Sequence, residues 1–144
     1  MSTENPLFAV DLVNIAEVAQ SVRRLGDRYL RRVFTDHELA CCCDGPSDSV
    51  ATALALRFAA KEATLKVLRP PKKRPDWQTI EVVRLPTGVC RLRLRGAAAR
   101  LALERGLGPF TLSLTHEAGL AAAVVTSGSA NLWGRQTTME PRQW

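Results

Sequence analysis

The 144-residue sequence has no run of about 18 uncharged apolar residues, so no segment is expected to cross a membrane as a helix. It has no Gly-x-x-x-x-Gly-Lys-Ser/Thr, which excludes a conventional Walker phosphate loop. Its four cysteines, Cys41, Cys42, Cys43 and Cys90, show no Cys-x-x-Cys spacing and no neighbouring histidine pattern, so a structural zinc site is excluded. Reduced thiols that fill space are expected, with a disulfide from Cys90 to the triplet as the alternative. Aromatic residues make up only 6% and lie mostly within apolar runs. Stacking on single-stranded nucleic acid usually needs exposed aromatics between the cations, so that function is disfavoured. No internal repeat is present. The opening Met-Ser-Thr-Glu-Asn-Pro has neither a basic start nor an apolar core, so no secretory signal and a cytoplasmic location are expected.

What is present is a basic chain, with 20 Lys and Arg against 14 Asp and Glu and a net charge of +6, which favours acidic partners. The length suits one domain with a proper core. Phe8, Val10 and Leu12 alternate with Ala9, Asp11 and Val13, which predicts a strand over 7–13. Asp is depleted in strands, so Asp11 needs a reason; either it or Asn14 caps the next helix, or it holds a ligand. Ile15, Val18, Ala19, Val22 and Leu25 fall at helical spacing up to Gly26, with Glu17, Arg23 and Arg24 on the other face. After a basic stretch at 28–32, Thr35 and Glu38 make a capping-box pattern. Strands are predicted over 77–83, 89–94, 111–115 and 120–126, and a helix over 96–105. Gly, Ser, Asn, Thr and Pro dominate from Ser127 onward, so a domain over 1–126 and a flexible tail over 127–144 are expected.

The segment from Val50 to Leu68 is apolar on almost every face, as for a helix buried all round, and Pro70 and Pro71 end it. A Ser or Asp of the preceding turn is expected to cap it. Four ionisable residues interrupt it. Arg57 and Lys61 are four apart and share one strip, while Glu62 and Lys66 share the strip beside it. Burial penalises unpaired charge, so these groups must meet one another, a metal or a charged ligand. The plainer reading is a core helix with surface ion pairs.

Arg57-Phe-Ala-Ala-Lys-Glu-Ala resembles the central motif of the phosphopantetheinyl transferases of the holo-acyl-carrier-protein synthase type. Val10-Asp11-Leu12-Val13 and Leu112-Ser113-Leu114-Thr115-His116 match the same family in the same order. The resemblance implies a compact α+β domain, an antiparallel sheet packed against a long buried helix, assembled as a homotrimer with sites between subunits. It implies transfer of the 4'-phosphopantetheine arm of coenzyme A to a serine of an apo acyl carrier protein, releasing adenosine 3',5'-bisphosphate, with Mg2+ as cofactor. Asp11 and Glu62 would hold the metal, with Glu62, Asp11 and Lys66 catalytic and Glu62 the base. Arg57, Lys61, Lys66, Thr115 and His116 would face coenzyme A, and Arg23, Arg24 and Arg28 the acidic carrier. No nucleic-acid or membrane partner is implied.

Several residues depart from the family pattern. Ala9 stands where glycine is usual, Asn14 where glutamate is usual, and Glu17 where a carrier contact is normally basic. The loop Arg69-Pro-Pro-Lys-Lys-Arg-Pro75 carries prolines and cations where glycines are common; it either binds phosphate by charge or is a stiff solvated linker. A non-catalytic coenzyme A or carrier binder, a basic nucleic-acid-binding domain and a scaffold subunit are the alternative functions.

Overall fold

The computed structural model describes residues 8–43 and 45–129. Strand β1 (Phe8–Asn14) leads into helix α1 (Ile15–Leu25), where the Asn14 side-chain oxygen accepts from the Ala16 and Glu17 amides. Of the two possible caps, Asn14 therefore serves, and Asp11 is free for another role. Gly26, at φ 56°, ends α1 in a backbone conformation that residues with a Cβ seldom adopt. The basic stretch expected as a connection is itself a helix, α2 (Asp27–Val33). Thr35 and Glu38 form the predicted capping box at the start of α3 (Asp36–Cys42).

Helix α4 (Ser47–Leu68) is the centre of the molecule. Contrary to expectation no Ser or Asp side chain caps it; Pro46 occupies the cap position in an extended conformation, with no side-chain bond. Arg69, left-handed at φ 48°, closes its other end before the two prolines. The predicted strand over 77–83 begins late: Trp77–Thr79 is a 3-10 turn capped by Asp76, which takes its Gln78 amide, and β2 runs only over Ile80–Arg84. Strand β3 (Cys90–Leu94) pairs antiparallel with β2, and α5 (Gly96–Glu104) follows. Strands β4 (Leu107–Glu117) and β5 (Leu120–Ser129) are longer than expected. Strand β5 runs past 126: Ser127 is buried, and its hydroxyl takes the Gly108 amide at 2.8 Å. The sheet thus continues past the expected boundary at 126, and the rest of the tail expected over 127–144 lies outside the described residues.

The main sheet has the order β1-β5-β4, all antiparallel. Period two sends Ala9, Val13, Ala121, Ala123 and Val125 into α4, whose Ala59, Ala60 and Ala63 are fully buried. Small side chains on both surfaces let helix and sheet approach closely. The opposite sheet face carries Phe8 (62% exposed), Val10 (47%), Leu12 (63%) and Leu120 (42%), an apolar surface open in the single chain. The four cysteines are free thiols, and burial pushes Cys42 up to about 12. Among the described residues no helix is long and apolar enough to cross a membrane.

Candidate active site

Asp11, on the helix-facing side of β1, meets Lys66 of α4: Nζ donates to Oδ1 at 2.9 Å and to the Val10 carbonyl at 2.9 Å. Glu62, one turn before Lys66, is half-buried. Burial first and the Asp11 carboxylate second push its carboxyl above the usual range, while Arg74 and Lys66 pull it down. Two carboxylates in each other's field, with two cations beside them, have the chemistry that could hold a hard dication and a phosphate chain. The structure thus brings Asp11, Glu62 and Lys66 together, where the spacing had placed Glu62 beside Lys66 and the family resemblance had added Asp11, and Arg74 joins them from the loop that the sequence left open.

Lys61 is a correction. It does not face phosphate: its ammonium is fully buried, 2.6 Å from Glu38 Oε1, and donates to the carbonyls of Trp77 (3.0 Å) and Ile80. Desolvation pushes its pKa down, and Glu38 pulls it back up. Glu38, also fully buried, takes the Thr35 and Val82 amides as well. The i, i+4 strip read from sequence set Lys61 beside Arg57, and the resemblance pointed it at coenzyme A; its partner, Glu38, arrives from another helix.

Arg57 is only 6% exposed; one guanidinium nitrogen donates to the Ala53 carbonyl at 3.1 Å, and its Nε has no hydrogen-bond partner. Five residues before Glu62, it is rotated roughly 140° around α4 from it, so this chain does not bring it to the Asp11 cluster. A buried guanidinium with no carboxylate partner among the described residues still suits an anion.

Thr115 and His116 are adjacent on a strand and so leave on opposite faces. Thr115 is exposed on the face that carries Val10 and Leu12. His116 is on the helix-facing side, paired with Ala121. Two strand spacings and two residues along separate it from Asp11, roughly 12 Å. It lines instead a cleft of about 480 Å³ with Arg23, Thr52 and Gly119. Within one chain, neither residue reaches Asp11. Arg23, Arg24 and Arg28 are exposed on α1 and α2, as a docking surface requires.

Sequence reasoning missed Glu38 and Glu81. Glu81 is buried, accepts from the Thr35 hydroxyl at 2.6 Å and pairs with Arg93 at 3.2 Å and Arg95 at 3.3 Å. The alternation of Arg91, Arg93 and Arg95 marked a wet face, and nothing local showed that two of its cations lean over a buried carboxylate.

The structure is a mixed α+β domain whose central buried helix sets a carboxylate and a lysine against an aspartate on the neighbouring strand. The chain belongs to the 4'-phosphopantetheinyl transferase superfamily, whose family model matches residues 8–125. It is similar to the holo-[acyl-carrier-protein] synthase of Moorella thermoacetica, 41% identical over 115 residues that cover 80% of this chain and 88% of the relative. The synthase of Clavibacter michiganensis subsp. michiganensis is 40% identical over 124 residues, covering 85% and 96%. Among solved structures, the Chronobacterium ammoniagenes synthase complex with coenzyme A has a TM-score of 0.75 at 30% identity, covering 85% of this chain and 96% of that one. The Helicobacter pylori synthase in complex with coenzyme A has a TM-score of 0.72 at 25% identity, covering 84% and 99%.

Proposed function

We propose that this protein transfers the 4'-phosphopantetheine arm of coenzyme A to a serine of an apo acyl carrier protein, releasing adenosine 3',5'-bisphosphate. The observation that carries this is the convergence of Asp11, Glu62 and Lys66 in a chain about 40% identical to holo-[acyl-carrier-protein] synthases. Asp11 and Glu62 are the residues that would hold Mg2+; a carboxyl whose pKa is raised by burial beside a second carboxylate is relieved by a dication. Bound there, the ion would neutralise charge on the diphosphate. Lys66 draws its carboxylate partner into place and offers its half-exposed ammonium to the same phosphates. Glu62 takes the serine proton as it leaves, a task suited to a carboxylate of raised pKa.

Two features support assembly with further copies of the chain, a homotrimer in the reading that the family resemblance gives. The apolar face of Phe8, Val10, Leu12 and Leu120 is open in the single chain, and Thr115 and His116 cannot reach the Asp11 cluster of their own chain. Covering that face with another copy would bury its apolar side chains together with Thr115. The basic exposed ends of α1 and α2, with Arg23, Arg24 and Arg28, suit an acidic carrier surface. Four free thiols support a cytoplasmic location.

The test is the intact mass of apo acyl carrier proteins after incubation with the protein, coenzyme A and Mg2+. A gain of one phosphopantetheine arm, lost in EDTA, is expected. No gain with carriers of several pathways would reject the transferase and leave the non-catalytic binder.

The raised Glu62 carboxyl also sets a pH dependence. Without metal, the folded chain holds this proton more tightly than the unfolded one, so the contribution to stability is present at low pH and is lost as pH rises through the folded value. Mg2+ competes with that proton. Saturating Mg2+ should therefore raise Tm more at pH 8 than at pH 5, and Glu62→Gln should remove the difference. An equal rise at both pH values would count against Glu62 as a ligand.

A further inference from the structure

The outward face of β3 carries Arg91 and Arg93, both exposed. Arg95 continues the same side just beyond the strand, where its amide donates to the Thr79 carbonyl at 2.8 Å. Glu81, the cross-strand partner of Arg93, shares that side, yet its side chain is only 2% exposed. Its Oε1 accepts from Arg93 Nη1 at 3.2 Å and from Arg95 Nη2 at 3.3 Å, and its Oε2 accepts from the Thr35 hydroxyl at 2.6 Å. Each guanidinium spends one nitrogen on this carboxylate. Both side chains remain more than half exposed, which leaves donors on each fork for a second acceptor.

A cleft of about 370 Å³ joins this row to α2, lined by Arg31, Thr35, Asp36, His37, Glu81 and Arg95. Gln78, on the same wall, donates to the carbonyls of Arg31 and Phe34, which fixes the C-terminal end of α2 beside it. Arg31 is exposed and, like Arg91, makes no ion pair among the described residues. Arg31, Arg91, Arg93 and Arg95 outnumber the two carboxylates, Asp36 and Glu81, so the surface attracts acidic groups. No Phe, Tyr or Trp lines the cleft, so a nucleic-acid strand finds no stacking platform there and an acidic protein is the better match.

Arg28, part of the docking surface proposed for the carrier, and Arg31 are three apart on α2 and share one side of it. A standard interface covers about 800 Å² on each partner, a patch roughly 30 Å across, whereas α2 is only about 10 Å long. A carrier seated on Arg28 therefore reaches past α2, and the Arg31 cleft adjoins it.

We propose that Arg31, Arg93 and Arg95 form a second contact for the acidic carrier protein, with buried Glu81 holding the two β3 guanidiniums ready for the carrier's carboxylates. This rests on the transferase reading. Glu81 touches no partner; it restricts the two arginines in advance, so less side-chain freedom is lost when the complex forms.

The test is arm-transfer kinetics with an acidic carrier at low and high salt, using two variants. Arg31→Glu reverses a charge that no ion pair uses. The triple variant Glu81→Gln/Arg93→Gln/Arg95→Gln removes the β3 cations together with the carboxylate they cover. In each, the KM for the carrier should rise about fivefold or more at low salt and less at high salt, with kcat and the KM for coenzyme A within about twofold of wild type. A role confined to folding would lower the active fraction, and hence kcat, without moving the KM for one substrate or its salt dependence. Folded variants with the wild-type carrier KM overturn the proposal, and if the triple variant does not fold, Arg31→Glu decides. A single-stranded oligonucleotide that displaces the carrier better than polyglutamate of equal charge would assign the surface to nucleic acid and overturn it too. Wild-type protein that loads carriers, with no effect of either variant, sinks this surface alone. Wild-type protein that loads none sinks the transferase; calorimetry of the carrier with wild type and Arg31→Glu then decides the surface separately, equal or absent binding overturning it.

Discussion

Glu62→Gln should abolish arm transfer while leaving the protein folded. Glutamine keeps the shape of the side chain and loses its charge, so the packing of α4 is unchanged. In the proposed mechanism, what is lost is both the second carboxylate of the metal pair and the base. Proton transfer by a positioned group contributes about 10²–10⁴ in rate, and the lost metal ligand adds to that, so turnover should fall by roughly three orders of magnitude or more. Stability should not fall, because burial and Asp11 both disfavour the Glu62 charge when no metal is bound. An intact-mass time course gives the rate and a thermal melt gives the stability. A Glu62→Gln protein of full activity would remove both roles from this residue.

Lys61→Met alone should instead be a stability defect. It leaves the Glu38 carboxylate fully buried without its cation and two backbone carbonyls without their donor. Breaking a buried pair on one side costs about 3–5 kcal/mol. For a chain of this size that corresponds to a fall in Tm of roughly 10–20 °C. Adding Glu38→Gln should recover much of the loss, since removing both charges also removes the unpaired one. A single variant that melts with wild type would show that the pair is not a structural element. The contrast with Glu62→Gln is informative because the two residues are neighbours: one should lose chemistry with the fold intact, the other the fold first.

The comparison also shows why adjacent charges were hard to tell apart in the sequence. Arg57, Lys61, Glu62 and Lys66 have helical spacings that define strips, and strips say which side chains are side by side on the helix. They do not say which strip faces a strand, a second helix or solvent. Glu62 and Lys66 come to Asp11 because the surface they share meets β1, where Asp11 interrupts an apolar alternation. Lys61 was misplaced because Glu38 had already been explained as half of a capping box, and its second oxygen and remaining capacity had no visible use. Trp77–Thr79 was read as strand from its apolar ends, whereas Asp76 caps the turn and Lys61 holds it off the β path.

What the sequence determined by itself was whatever depends on short-range backbone chemistry and periodicity. The alternation of β1, the cap pattern at Thr35 and Glu38, the stop at Gly26 and the all-round apolar α4 can each be read within a few residues, and three ordered motifs identified the family. What only the tertiary structure decided was the environment of each charge. A carboxylate or ammonium is functional or structural according to its desolvation and its partners, and these come from distant parts of the chain: Glu38 to Lys61, Asp11 to Lys66, Arg74 to Glu62. The same reason governs the open face of Phe8, Val10 and Leu12: the period of two shows that a strand has two faces, and only the packed sheet shows that α4 covers just one of them.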